Sequence, residues 1–554
     1  MNSRHLAALL LAAAPCVSGA QMPSPSDRPA LVVLIAVDQL RGDYLDRFGS
    51  QLTGGLARFH DRAAYFPHAW QDHSNTETAP GHATMLSGRE PVHTEIISNN
   101  RGVPDATAPL IAANGAGASP RRFNGTTLYD WMLVRDSSAR VLSVSRKDRG
   151  AILPIGRAKG DVYWFADGKF TTSRYYADTL PAWVRDFDAR IPYDRLANTR
   201  WDLLLPAAQY PEPDSVWAEN GGADNTFPHT LPAADALRSG IQQYPWMDSL
   251  TLAFALDGVR ATRVGKRSIE SMMPNAMPDL LSISLSTTDA IGHAFGPDSR
   301  EIHDQVLRVD RWLGQFFASL EQEVPASRIV YVLTGDHGIA PLPELAAART
   351  GRGGRLWLGD IANATEAALE QRYHTEFSIE FDNGLMFGDV AAMHARGIDV
   401  DSIAHAIVAA GTARRGVSVG FTPTALATSS DSVAVRWRRT LPSNVGWIVA
   451  FGAAPDYVWS PGKTSAEHGT PNALDLSVPI SFVGANVVTG RYEQLVRTVD
   501  IAPTLAMLIG VTPTEAIDGM ALGDIVGRRS QIPLTCHASP CPSVTSPSPL
   551  RFSR

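Results

Sequence analysis

Cysteine is nearly absent: the 554-residue chain has three, Cys16, Cys536 and Cys541. That excludes a disulfide scaffold, or a cysteine-ligated metal centre, as the organising element. Cys536 and Cys541, five apart, are a candidate pair for one small disulfide loop in an exported protein. An excess of positive charge is missing too, since 49 Lys and Arg stand against 56 Asp and Glu, a net −7. Nothing therefore marks a nucleic-acid footprint, and an anionic ligand has to be met by metals or a few local cations. Apolar runs of membrane-spanning length are lacking as well. The run over residues 6–14 is too short to cross a bilayer. With Arg4 before it and Ser18-Gly19-Ala20 after it, residues 1–20 read as a secretory signal, whose removal leaves no stable membrane anchor. No internal repeat is evident, which sets solenoids and propellers aside.

What is present is apolar residue in quantity: 44% hydrophobic against 19% charged, enough for a large core. The length suits one large α/β domain with insertions, or two to three domains. We expect a catalytic domain over residues 28–530, interrupted by insertions at about 151–260 and 340–465, then a Pro/Ser-rich tail over 531–554. Residues 30–37 form a continuous apolar run rich in branched side chains, the pattern of a strand buried on both faces of a parallel sheet. Similar runs recur at 139–145, 280–285, 328–333 and 478–483. Four of these five runs end on ionisable groups: Asp38, then Arg146-Lys147-Asp148-Arg149, then Asp289, then Asp336-His337. Ligands of open α/β sheets bind beyond the carboxyl ends of strands, so the repetition predicts one site along one sheet edge. Helices are expected at about 300–320, with Asp298 or Ser299 as cap, at 399–410 and at 498–508. In the second insertion, residues 432–438, 447–451 and 456–460 read as antiparallel strands.

The chemistry centres on Thr76-Glu77-Thr78-Ala79-Pro80-Gly81-His82, followed by Asn99 at the end of a short apolar run. Taken singly, the surrounding residues have plain explanations. Asp38 fits a helix cap, each histidine a structural role, and Lys147-Asp148-Arg149 a solvated turn. Jointly they say more. Asp289 and His293, four apart, can share one face of a helical turn; Asp336 and His337 are adjacent at a strand end; His468 sits beside Gly469. With Asp38 this makes three carboxylates and three imidazoles, a donor set suited to Zn²⁺ and divisible between two ions about 4 Å apart. A threonine hydroxyl is a poor nucleophile until a divalent cation lowers its pKa; Thr78, with Ser74 and Thr76 beside it, is the working candidate for that role. Asn99, Lys147 and Arg149 can meet phosphoryl oxygens.

On these residues the chain resembles the alkaline phosphatase superfamily, most closely the PafA-like, phosphate-irrepressible enzymes with a threonine nucleophile. The resemblance spans about residues 30–525. It is carried in order by Ala36-Val37-Asp38-Gln39, Thr78-Ala79-Pro80-Gly81-His82, Lys147-Asp148-Arg149-Gly150-Ala151-Ile152-Leu153-Pro154, Asp289-Ala290-Ile291-Gly292-His293, Gly335-Asp336-His337-Gly338 and Asp500-Ile501-Ala502-Pro503-Thr504-Leu505. It implies a three-layer α/β sandwich with cap insertions and two Zn²⁺ per chain. One zinc would be held by Asp38, Asp336, His337 and the Thr78 oxygen, the other by Asp289, His293 and His468. It further implies that Asn99, Lys147 and Arg149 bind the phosphoryl group. The Lys-x-Arg pair points to small-molecule phosphate monoesters as substrates. The related nucleotide pyrophosphatase/phosphodiesterase branch shares the threonine and the ligands and is the alternative. A mutase or phosphotransferase on the same fold, and a non-catalytic binder, fit less well, because of the signal and the complete ligand set. The resemblance leaves oligomeric state open.

Overall fold

Leu31–Val37 is apolar and buried at every position. Successive side chains of a strand point to opposite faces, so all seven are buried only where both faces of the sheet are covered. That is what happens. Val33, Ile35 and Val37 join one hydrophobic core, and Val32, Leu34 and Ala36 join the other. The computed structural model describes residues 28–270, 276–462 and 465–527. The segment 1–20, the tail 531–554 and the pair Cys536 and Cys541 lie outside them.

Around Leu31–Val37 runs a ten-stranded mixed sheet. Its middle is five parallel neighbours: Ile329–Thr334, Leu31–Val37, Asp279–Leu285, Val141–Ser145 and Asp161–Ala166. Register brings four of their carboxyl ends level, since Ala36 faces Ser284 on one side and Thr334 on the other, and Ser284 faces Ser145. The residues that follow these strands therefore emerge side by side. Beyond Ile329–Thr334 the sheet turns antiparallel through Ser477–Gly484 and Ala64–Trp70. At the opposite edge Lys169–Thr171 pairs antiparallel with Asp161–Ala166, so residues 161–171 belong to the main sheet.

Helices cover both faces, as the three-layer expectation requires. Arg300–Glu323 is capped by Ser299, whose Oγ accepts the Ile302 N–H at 3.2 Å. It lays Ile302, Val306, Val309, Leu313, Phe316 and Leu320 into the first core. Val400–Thr412 is capped by Asp399. Ile501–Ile509 is helical after a short 3₁₀ turn at Thr498–Asp500.

The second insertion carries a sheet of its own, antiparallel, in the order Ile379–Asp382, Leu385–Gly388, Trp447–Ala453, Val417–Phe421. Two sequence expectations need correcting here. Residues 432–438 are not a strand, because Ser432–Thr440 is an α-helix. Asp431 accepts the Val433 N–H, and the buried Ala434, Trp437 and Thr440 recur at a three-residue spacing. That one-sided burial defeats the two-residue alternation of Ser-Val-Ala-Val-Arg-Trp-Arg. Tyr457–Trp459 is a strand, but it pairs in parallel with Gly354–Leu356 and not as a hairpin with Trp447–Ala453.

Candidate active site

The level strand ends deliver their cargo to one pocket. Asp38 leaves Leu31–Val37 with its N–H bonded to Leu285 O (2.8 Å), which ties the two central strands together beyond their ladder. Asp289 lies in the first turn of the helix Thr287–Phe295, and His293 is one turn on, its Nε2 3.3 Å from Asp289 Oδ1. Asp336 and His337 follow Ile329–Thr334. His468 arrives from the segment after the cap, its Nε2 3.6 Å from Asp289 Oδ1. His337 Nε2 is 3.6 Å from both Asp38 Oδ1 and Asp336 Oδ2. Two groups of ligand atoms result, each within 4.8 Å of one another: Asp289, His293 and His468, and Asp38, Asp289 and His337. Asp289 stands in both, with Asp336 at the margin of the second.

The imidazoles are oriented alike. His293 Nδ1 is 2.6 Å from Ala466 O, His337 Nδ1 2.9 Å from Gly338 O, and His468 Nδ1 2.7 Å from Thr76 O. A carbonyl only accepts, so each Nδ1 carries a proton and each Nε2 is the ring nitrogen turned toward the carboxylates; against the effect of burial, Asp289 raises His293 to about 9 and raises His468 as well. Burial, with His468 and Lys147 beside it, holds the His337 pKa well below its ordinary value, which keeps the ring neutral and able to ligate. Burial and the neighbouring Asp289 and Asp336 raise Asp38, despite Lys147. Asp289 is held low, because Lys147 and His293 outweigh the effect of burial.

Among the described residues this cluster holds little positive charge. Asp38, Asp289 and Asp336 are at most 5% exposed, and the one lysine among them is Lys147. Asp38 Oδ1 and His337 Nε2 are buried without a hydrogen-bond partner among the described residues, while Asp38 Oδ2 meets Lys147 and Asp336 Oδ2 meets His82, each as an ion-pair contact. Unpaired buried acceptors of this kind are costly unless a cation serves them. Carboxylate oxygens and imidazole nitrogens are donors that suit a divalent ion such as Zn²⁺, so the residues fit a metal site.

Thr78 is the first residue of the helix Thr78–Ser87 and is 1% exposed. Lys147 Nζ lies 3.1 Å from Thr78 Oγ1, 2.6 Å from Asp38 Oδ2 and 2.6 Å from Asp289 Oδ2. Asn99 Oδ1 accepts the Ala79 N–H at 3.0 Å, which turns the amide nitrogen away from that contact. Arg149, on the turn after Lys147, is a quarter exposed and pairs loosely with Asp148 at 3.6 Å. The structure thus brings Asp38, Thr78, Asn99, Lys147, Asp289, His293, Asp336, His337 and His468 together, with Arg149 on the neighbouring turn.

Three further contributors stand inside the sequence motifs without a role assigned there. His82 joins the helix Thr78–Ser87 to the site: its Nδ1 is 2.9 Å from Thr78 O and 3.2 Å from Asp336 Oδ2, and its Nε2 is 2.8 Å from Ser284 Oγ. Glu77 Oε2 accepts the Asn99 N–H at 2.5 Å, and its Oε1 accepts from Asn383 of the cap. Gln39 touches both Asp289 and Asp336. Each sits beside or one helical turn from a residue already singled out, and that adjacency was the available signal.

Comparison with known proteins gives consistent results. The family model for type I phosphodiesterase / nucleotide pyrophosphatase matches residues 32–353. The alkaline phosphatase PafA of Elizabethkingia meningoseptica is 29% identical over 92% of this chain and 97% of its own length. The alkaline phosphatase PhoV of Synechococcus elongatus is 28% identical over 91% of this chain and 94% of its own. The crystal structure of PafA superposes with a TM-score of 0.82 at 27% identity, covering 90% of this chain and 99% of that one.

Proposed function

We propose, from the premise that this chain belongs to the type I phosphodiesterase / nucleotide pyrophosphatase family, that it is an exported, zinc-dependent alkaline phosphatase hydrolysing phosphate monoesters through a phosphothreonine at Thr78. The observation that carries the monoester reading is the position of Lys147, whose ammonium lies 3.1 Å from Thr78 Oγ1. A monoester brings one more negative charge on its non-bridging oxygens than a diester does. A buried cation at the nucleophile, with Arg149 on the next turn, answers that charge. The names of PafA and PhoV, both alkaline phosphatases, support the same reading. The segment 1–20 supports export, and among the described residues no helix is long and apolar enough to cross a membrane.

Zinc held by Asp38, Asp336 and His337, and by Asp289, His293 and His468, would lower the pKa of the Thr78 hydroxyl and stabilise the leaving-group oxygen. The chain's own residues do the remaining work. Thr78 Oγ1 attacks phosphorus in line as the bond to the leaving group breaks, and water then attacks the phosphothreonine, releasing inorganic phosphate and restoring the hydroxyl. Because the helix begins at Thr78, its positive end lies at the phosphoryl group throughout. Lys147 and Arg149 hold the non-bridging oxygens. Asn99, its Oδ1 occupied by Ala79 N–H, presents Nδ2 to another.

The test compares a monoester and a diester bearing the same leaving group, with zinc supplied. The monoester is expected to turn over faster by about 10²-fold or more in kcat/KM. Faster turnover of the diester would move the assignment to the phosphodiesterase branch.

A further inference from the structure

Gln39 follows Asp38 and is fully buried, yet its backbone is left-handed, with φ at +66°. Glycine takes that conformation without strain, so a glutamine held there points to a use for its side chain. Two donors of this one residue reach two carboxylates. The main-chain N–H donates to Asp336 Oδ1 at 2.9 Å, and Nε2 donates to Asp289 Oδ1 at 2.9 Å. Asp289 Oδ1 is the oxygen facing His293 and His468, whereas Oδ2 faces Lys147. Room for the amide is left by Gly292, between Asp289 and His293 on their helix: a Cβ there would lie 1.7 Å from Gln39 Oε1.

We propose that Gln39 is a positioning residue that sets the two ligand groups relative to one another. Its backbone fixes Asp336, and its side-chain amide fixes Asp289 so that Oδ1 is aimed at the His293 and His468 side. This rests on the metal-binding reading given above. The two donors are separable, because the main-chain N–H survives any substitution other than proline, while the amide does not. Loss of the amide should therefore weaken binding at the His293 and His468 group more than at the other. Partners that orient a metal-ligating carboxylate typically matter by 10–100-fold in metal affinity.

The test is stepwise zinc removal by a competing chelator from the full chain, wild type against Gln39→Gly and Gln39→Glu. His293→Ala marks which release step belongs to the His293 and His468 group. Gln39→Gly relieves the left-handed backbone and so is expected to fold; Gln39→Glu keeps the volume but sets a carboxylate against Asp289. In both, zinc affinity at the His293-marked step is expected to fall about 10–100-fold, with the other step within a few-fold of wild type. Wild-type release in both variants would overturn the inference while leaving the metal reading intact, and so would equal weakening of both steps, the mark of a merely structural glutamine. A wild-type chain that takes up no zinc would overturn the metal reading itself, and this inference with it.

Discussion

A threonine hydroxyl holds its proton too tightly to attack phosphorus unaided, so the case for Thr78 lies in its company. Thr76, two residues earlier, is just as buried, but its hydroxyl donates to Thr470 O at 3.0 Å. Thr78 Oγ1 instead faces Lys147, with the carboxylates behind it. Thr78→Ala is expected to lower kcat by about 10³-fold or more while zinc content, measured by metal analysis, stays near wild type. Lys147→Ala with Arg149→Ala is expected to cut kcat/KM for monoesters by about 10²–10³-fold and for diesters by less than tenfold, measured on matched substrates. At this scale much of the site was legible in the sequence. Asp38, Asp289, Asp336 and His337 each follow a recognisable strand, and a charged group at a strand end is conspicuous. Gln39 and Glu77 were not legible. A neutral amide after an aspartate, or a glutamate before a helix, reads as ordinary turn chemistry until the fold shows what its side chain meets.

The elements position these residues by close approach. Gly81, in the first turn of the helix Thr78–Ser87, lies so near the loop after Ile329–Thr334 that a Cβ would sit 2.2 Å from Asp336 O. That contact is backbone and has little freedom to yield, so the helix carrying Thr78 and the loop carrying Asp336 and His337 are set against each other. Gly81→Ala is expected to cost about 1–3 kcal/mol of stability, read in thermal or denaturant unfolding, and to lower activity by shifting Thr78 relative to Asp336 and His337. Four of the five parallel strands were readable because doubly buried strands are continuous apolar runs; Asp161–Ala166, only partly buried, lies in the segment expected as an insertion. The helix Ser432–Thr440 was not, since its run also alternates, and only the packing of Ala434, Trp437 and Thr440 selects the helical period. The helix is tied to the main domain by Ser74 N–H donating to Thr440 Oγ1 at 2.9 Å and by Arg436 paired with Asp72 at 3.1 Å. Such pairings span more than 360 residues of sequence, and no local pattern announces them.

Across the whole molecule the same burial that shapes the site leaves charge stranded elsewhere. Glu90 is 3% exposed, and burial pushes its carboxyl up to about 8 even though Arg497 lies 3.2 Å away. The folded protein therefore keeps a proton that the unfolded chain, with an ordinary glutamate value of 4.5, has already lost. Stability falls as pH rises from the lower value through the upper one, where the ionised form must be buried. Glu90→Gln is expected to remove that loss and gain on the order of 1–3 kcal/mol above about pH 8 relative to wild type, as unfolding measured across pH would show. At this scale the cap also meets the site: Asn383, at the turn between two cap strands, bonds Glu77 beside Thr78. The central claim is that phosphorus is attacked by Thr78 and then by water, in two in-line displacements. The most direct test is the stereochemical course at phosphorus, using a monoester made chiral with oxygen isotopes and the phosphoryl group passed to an acceptor alcohol. The account predicts net retention of configuration; net inversion, the mark of a single direct displacement, would contradict it.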